Sequence, residues 1–148
     1  MEQPIEILIN GAQMRKLYEK QAEPLRRQYQ LRKIDMELLY YLSKAGREHN
    51  TAKDLNQLKL FTKGHISQSI SRMRQQNLVK VLQDKEDRRY GHIILTEAAK
   101  ELVAEIEKLH VRIQEIVFQG ITREEINSLI EIAIKMNKNI EKELRNGI

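Results

Sequence analysis

The sequence predicts a mainly α-helical protein that carries one small β-hairpin. Apolar residues recur every three or four positions along most of the 148 residues, which is typical of helices with one buried face. The stretch 78–95 breaks this pattern, because it contains two short runs typical of strands around a charged tip. Two short helical segments come directly before the hairpin. This order of elements predicts a winged helix-turn-helix, with further helices at both ends of the chain.

The chain begins with two predicted helices. The first covers about residues 5–29, and we expect Pro24 to kink or end it, because proline lacks a backbone N–H and clashes with the preceding turn. The second covers about residues 35–44. Thr51 then provides an N-cap for a short helix over residues 52–58.

A further helix is predicted at residues 63–76, with Thr62 as its N-cap. Ile66, Ile70 and Met73 recur along one face of it, which predicts that this face is buried. Asn77 follows, a residue that tolerates the left-handed conformation at a helix end. The hairpin is then predicted to have strands at residues 78–82 and 90–95 and a charged tip at residues 83–89.

Two long helices complete the chain. Thr96 caps the first, and Thr122 and Glu125 form a capping box at the start of the second. Both carry long, narrow apolar stripes, which are typical of helices that pack on other helices within one chain or between two.

Composition limits the classes of function. The sequence has no cysteine, which excludes disulfides, thiolate metal sites and cysteine nucleophiles. No run approaches the roughly 20 apolar residues that span a membrane, and residues 1–10 do not resemble a signal peptide, so we expect a cytoplasmic protein without a membrane segment. The net charge of +5 favours an anionic partner.

Catalytic and metal-binding patterns are absent from the sequence. It has no glycine-rich phosphate loop and no nucleophile elbow. The four histidines, His49, His65, His92 and His110, have no close metal-ligand spacing. We therefore expect neither enzymatic activity nor a metal or cofactor.

The outer face of the helix over residues 63–76 is the candidate DNA-reading surface. Residues 61–82 contain no Asp or Glu, although the chain is rich in Glu, and this favours DNA over the alternative of an ordinary solvated helix. Gln and Arg side chains can make bidentate contacts with base edges, and Lys can neutralise phosphates. The residues predicted to face the major groove are Thr62, Lys63, His65, Ser67, Gln68, Ser71, Arg72 and Gln75.

The hairpin tip is a second candidate contact. Arg88 and Arg89 could reach a minor groove, whose negative potential attracts guanidinium groups. We expect Asp84 or Asp87 to pair with an arginine and stiffen the tip. Taken alone, this segment is better explained as an ordinary charged turn.

Four stretches together resemble the MarR family of bacterial transcriptional regulators. They are residues 62–73, 77–79, 84–89 and 95–97, of which Asp87-Arg88-Arg89 and Leu95-Thr96-Glu97 are the most specific. Asn77 and Ala99 stand where the family usually has glycine, Asn56 where it has a small apolar residue, and Gln68 where a basic residue is common. These differences leave the fold in place but put the operator sequence in doubt.

The resemblance implies one MarR-like domain over residues 1–148, in which residues 31–95 form the DNA-binding lobe and residues 1–30 and 96–148 form dimerisation helices. It implies a homodimer that binds pseudo-palindromic double-stranded DNA, and a repressor that a small-molecule effector releases. The residues near the family's ligand position are Leu17, Leu25, Tyr29, Met36 and Tyr40, although apolar residues at helical spacing belong more often to a core. The alternative is a winged-helix module that binds a protein partner.

Overall fold

The computed structural model describes residues 11–146. The chain divides into two compact units, residues 1–113 and residues 114–148. The predicted beginning of the first helix, at residues 5–10, lies outside the described residues. The lobe boundaries that the sequence indicates, after residues 30 and 95, stay predictions.

The first unit has the predicted order of helices and one antiparallel hairpin, which confirms the fold class. Its elements are α1 (Gly11–Tyr29), α2 (Lys33–Lys44), a 3-10 helix (Arg47–His49), α3 (Ala52–Gln57), α4 (Lys63–Gln75), β1 (Val79–Gln83), β2 (Gly91–Leu95) and α5 (Glu97–Val117), whose residues from Gln114 onward belong to the second unit.

The core of the first unit holds α4 by its apolar face. Ile66 and Met73 of α4 are fully buried with Leu39 of α2 and Leu102 of α5, while Ile70 is half-buried. Burial of each such side chain stabilises the fold by about 1.5–3 kcal/mol. Because α4 packs on α2, α3 and β1 through this face, its polar face is left outside.

The predicted helix ends around α4 are confirmed. The Thr51 hydroxyl accepts a hydrogen bond from the Asp54 backbone N–H at 3.2 Å, and the Thr62 hydroxyl accepts one from His65 at 3.2 Å. Thr96 caps α5 in the same way through Ala99. Asn77 has a φ of 59°, the left-handed conformation that asparagine tolerates better than most residues.

The short segment just before α3 connects the hairpin to the helices. β1 and β2 pair from Val79 opposite Leu95 to Gln83 opposite Gly91. Thr51 forms an isolated bridge with His92, and the Ile93 N–H donates to the Asn50 carbonyl at 3.0 Å. The half of β2 nearer the wing tip is therefore fastened to the start of α3.

We expected Pro24 to kink or end α1, and the helix end is the alternative that is wrong. The helix continues through Pro24 to Tyr29. Ala22 and Leu25, on either side of the proline, are buried in the core. Their packing outweighs the hydrogen bond that the proline cannot donate, since helices in proteins are stabilised mainly by tertiary burial.

The second unit contains the end of α5 and α6 (Arg123–Asn146). Its predicted capping box is confirmed, because the Thr122 N–H donates to the Glu125 carboxylate at 3.0 Å and the Glu125 N–H donates to the Thr122 hydroxyl at 3.1 Å. None of the α6 side chains is buried. Among residues 11–146, no helix is both long and apolar enough to cross a membrane.

Candidate nucleic-acid interface

The start of α4 is exposed, and Thr62 caps it by accepting the His65 N–H. An exposed helix start favours an anion. The predicted reading residues on α4 are exposed with one exception, Arg72. The exposed ones are Thr62, Lys63, His65, Ser67, Gln68, Ser71 and Gln75.

One flank of α4 borders a basic cleft, which we call the wing cleft. It lies between α4, α3 and the hairpin and has a volume of about 780 Å³. No acidic side chain lines it. Its basic side chains are Lys53, Lys59, Lys63, Arg74 and Arg89.

The opposite flank of α4 borders a smaller cleft, which we call the α2 cleft, of about 280 Å³. His65, Gln68 and Arg72 line it from α4, while Arg32 and Lys33 line it from the start of α2. No acidic side chain lines this cleft either. The exposed polar face of α4 therefore lies between two surfaces that both attract anions.

Five of these basic residues were not predicted as site residues: Arg74 of α4, and Arg32, Lys33, Lys53 and Lys59 from outside α4. Arg32 and Lys33 lie about thirty positions before α4 in the chain. A helical wheel of α4 cannot reveal neighbours contributed by other elements. Of the four outside α4, only Lys53 had a local sequence signal, because it is a basic residue close to the N-cap Thr51.

Arg72 departs from the predicted placement. Its Nη2 lies 2.8 Å from Asp35 Oδ1, and the arginine side chain is 27% exposed. The Ser69 hydroxyl donates to the same carboxylate oxygen, and the Arg32 backbone N–H donates to the other oxygen at 2.9 Å. Since Asp35 is buried on α2, Arg72 turns inward to neutralise it rather than outward with the reading residues.

At the wing tip, one arginine is paired and one is free. Arg89 forms a bidentate pair with Asp87, with Nη2 2.8 Å from Oδ2 and Nε 3.0 Å from Oδ1. This pair lowers the pKa of the Asp87 carboxyl and raises that of Arg89. Arg88 is exposed and makes no hydrogen bond or ion pair with the described residues.

Asp84 organises the turn that precedes these arginines. One carboxylate oxygen accepts the backbone N–H groups of Glu86 at 2.8 Å and Asp87 at 3.3 Å. The other lies 2.8 Å from His92 Nε2, a contact that lowers the pKa of Asp84. His92 Nδ1 lies 2.6 Å from Asn50 Oδ1, so the ring links the wing tip to the body.

The residues suggested for an effector pocket are part of the core or lie at its edge. Leu25 and Met36 are buried, and Leu17, Tyr29 and Tyr40 pack partly buried against the core. Tyr40 also stacks on His110 with ring centroids 4.5 Å apart, and burial lowers the pKa of that histidine. No group of three or more metal-ligating side chains occurs among the described residues.

Comparison with known proteins agrees with this architecture. Residues 31–99 match the family described as winged helix DNA-binding domain. AbsC, a MarR family transcriptional regulator from Streptomyces coelicolor, is 26% identical, and the alignment covers 93% of this chain and 91% of AbsC with a TM-score of 0.67. No curated protein sequence gave a match.

Two further structures are similar at lower identity. A MarR protein from Peptoclostridium difficile is 21% identical with a TM-score of 0.75, over 97% of this chain and 95% of that one. The MepR–DNA complex from S. aureus is 17% identical with a TM-score of 0.64, over 87% and 96%. The chain therefore shares the winged-helix fold of these MarR-type structures, and its residues 31–99 match the winged helix DNA-binding domain.

Proposed function

We propose that this protein is a transcriptional regulator that binds pseudo-palindromic double-stranded DNA as a homodimer. One observation carries the proposal: the exposed face of α4 lies between two clefts lined by basic and not by acidic side chains. An α-helix about 10–12 Å wide fits the major groove of B-DNA. The phosphate backbones on the two sides of that groove would then lie against the wing cleft and the α2 cleft.

The charges of the wing cleft are available to phosphates. Lys53, Lys59, Lys63 and Arg74 take part in none of the ion pairs formed by the described residues. Four cations per subunit are eight per dimer, and these eight phosphate contacts alone would contribute about −7 to the slope of log affinity against log salt, before any contribution from the α2 cleft or Arg88. Through these contacts, affinity should fall about ten-thousandfold between 50 and 200 mM salt.

We assign sequence reading to exposed polar side chains of α4. These are Gln68 at the α2 cleft, Ser71 at the wing cleft, and Gln75. An amide can bond adenine in a bidentate way, and a hydroxyl can bond either bases or phosphates. The wing tip, with the free Arg88, would lie over the neighbouring minor groove.

Dimer formation is proposed from the apolar surface of the second unit. Large apolar side chains of α6 are half or more exposed in the single chain, a degree of exposure typical of surfaces that a partner covers. They are Leu129 at 50%, Ile130 at 51%, Ile132 at 54%, Ile140 at 55% and Leu144 at 75%. A two-fold dimer would present two α4 helices about 34 Å apart, to half-sites about 10 base pairs apart.

The direction of regulation is proposed from the resemblance. A repressor that a small-molecule effector releases should lower expression of a reporter placed behind its operator, and the ligand should restore it. Tyr29 and Tyr40, half-buried at the edge of the core, are the side chains we expect such a ligand to contact. A reporter that is unaffected, or that rises when the protein is expressed, would contradict repression.

Fluorescence anisotropy over a salt series tests DNA binding. The probes are DNA from upstream of the protein's own gene and a scrambled duplex of equal length. Lys63→Ala should flatten the salt slope, whereas Lys100→Ala should leave it unchanged, since Lys100 pairs with Glu97 away from α4. Absence of binding to either duplex at low salt would contradict the proposal and favour a module that binds a protein partner.

A further inference from the structure

We propose that Arg72 is a positioning residue, which sets the orientation of α4 through Asp35 and contacts neither phosphates nor bases. The inference rests on the proposed function and extends it. Arg72 lies within the recognition helix, and arginine is a residue type that commonly contacts DNA. The Arg72 side chain lines the α2 cleft, but its guanidinium is bonded to a buried carboxylate.

This arrangement is centred on the Asp35 carboxylate, which accepts hydrogen bonds from several groups. It is 1% exposed and belongs to α2. Its Oδ1 accepts from the Ser69 hydroxyl and from Arg72 Nη2, and its Oδ2 accepts from the Arg32 backbone N–H. Burying a carboxylate without such donors would destabilise the fold by several kcal/mol. The groups that donate to Asp35 are therefore held in place.

The guanidinium of Arg72 has little left to offer DNA. Its side chain is 27% exposed, and its Nε is buried without a hydrogen-bond partner among the described residues. Arg74 provides a contrast on the same helix. It is exposed, lines the wing cleft and points about 200° away around the helix axis.

Two donors one turn apart fix α4 against α2. Ser69 and Arg72 lie at i and i+3, so they share one flank of the helix and meet one carboxylate. Gln76, at the C-cap, adds a third tie by donating to the Gln30 carbonyl at 3.3 Å. Together these contacts limit both rotation of α4 about its axis and sliding along it.

The orientation of α4 decides whether base edges can be read. A recognition site needs its groups held to within about 0.5 Å and 10–20°, whereas attraction between basic clefts and phosphates tolerates larger errors. Loss of the Arg72–Asp35 contact should therefore reduce operator binding more than non-specific binding. In some proteins, buried polar or ionic groups contribute to structural specificity rather than to stability.

The test compares Arg72→Gln with Arg74→Gln, a matched pair on one helix. Arg72→Gln should weaken operator binding by about tenfold or more, and leave non-specific affinity and the salt slope unchanged. Arg74→Gln should weaken both and reduce the magnitude of the slope by about 1.8, because a dimer loses two phosphate contacts. If Arg72→Gln reduces the slope as Arg74→Gln does, Arg72 contacts phosphate and the proposal is overturned.

A double-mutant cycle with Asp35→Asn supplies a second readout. Since Asp35 is buried and cannot touch DNA, its effect on operator binding must pass through α4. The double variant should lose no more operator affinity than the worse single variant. Additive losses, or a loss of discrimination confined to one base pair of the operator, would overturn the proposal. If Asp35→Asn does not fold, Ser69→Ala replaces it in the cycle.

Amide hydrogen exchange of the protein without DNA separates this inference from the proposed function. Arg72→Gln should increase exchange in α4 and the first turn of α2, while Arg74→Gln should not. Unchanged protection in Arg72→Gln would overturn the positioning role. A wild-type protein that fails to bind DNA would contradict the proposed function, and exchange would still decide whether Arg72 orients α4.

Discussion

Replacement of Arg88 by alanine should flatten the salt dependence of DNA binding. Arg88 is exposed at the wing tip and has no ion-pair partner among the described residues, whereas the neighbouring Arg89 is bound by Asp87 at 2.8 Å. A free guanidinium can displace one counterion from DNA, but a paired one is already largely neutralised. The two adjacent arginines are therefore expected to differ in their contribution to binding.

The magnitude follows from counting charges. A homodimer with Arg88→Ala loses two cations, and at about 0.9 per phosphate contact the slope should change by about 1.8. At 0.15 M salt the same counterion release corresponds to about 30-fold in affinity. Because wing contacts with the backbone carry little sequence information, operator and scrambled DNA should lose similar factors.

Anisotropy titrations at four or five salt concentrations measure both quantities. Arg88→Lys is the matched control, since it keeps the charge and should keep the slope. A slope for Arg88→Ala equal to that of the wild type would refute the reasoning, because it would mean that the wing tip does not lie beside a phosphate or that the arginine is neutralised in the complex.

Three further predictions concern the reading surface, the core and the wing. Gln68→Ala should weaken binding to the operator while changing non-specific binding little; equal losses on both DNAs would exclude Gln68 as a base reader. Leu39→Ala should lower the free energy of unfolding by about 2–5 kcal/mol in urea denaturation, because Leu39 is fully buried, and a loss below 1 kcal/mol would contradict its place in the core. His92 lowers the pKa of Asp84, so the stabilisation by this carboxylate is present above its unfolded pKa of about 3.9 and is lost as pH falls through the lower folded value. Asp84→Asn should therefore reduce the melting temperature at pH 7 and approach the wild type only below about pH 4, whereas a deficit independent of pH would contradict the ionic contribution.

Features that depend on local chain geometry could be predicted from the sequence. The caps at Thr51, Thr62 and Thr96 involve partners three residues away, and the left-handed Asn77 depends on one residue and its neighbours. The apolar repeat of α4 likewise identifies its buried face, because helical periodicity is fixed at 3.6 residues per turn.

Features that depend on partners far along the chain could not be predicted. Asp35 is 37 residues from Arg72, and no periodicity links the two positions. The same holds for Arg32 and Lys33, which line a cleft beside α4. The helix end that was one alternative at Pro24 was wrong for a related reason: the rule that proline ends helices is local, whereas the burial that overrides it involves the whole core.

The absence of acidic residues from positions 61–82 describes the sequence of α4 but not the groups around α4 in the fold. The reason is that α2 contributes Asp35 to the side of the helix where Arg72 lies. This single acidic residue from another element pairs with an arginine that the sequence predicts to contact DNA, and the pair holds the two elements together. The positive surface of this protein consequently depends on residues such as Lys53, Lys59 and Arg74, whose clefts contain no carboxylate. A count of charges on the recognition helix alone overstates its electrostatic contribution and misses the neighbours that supply the remainder.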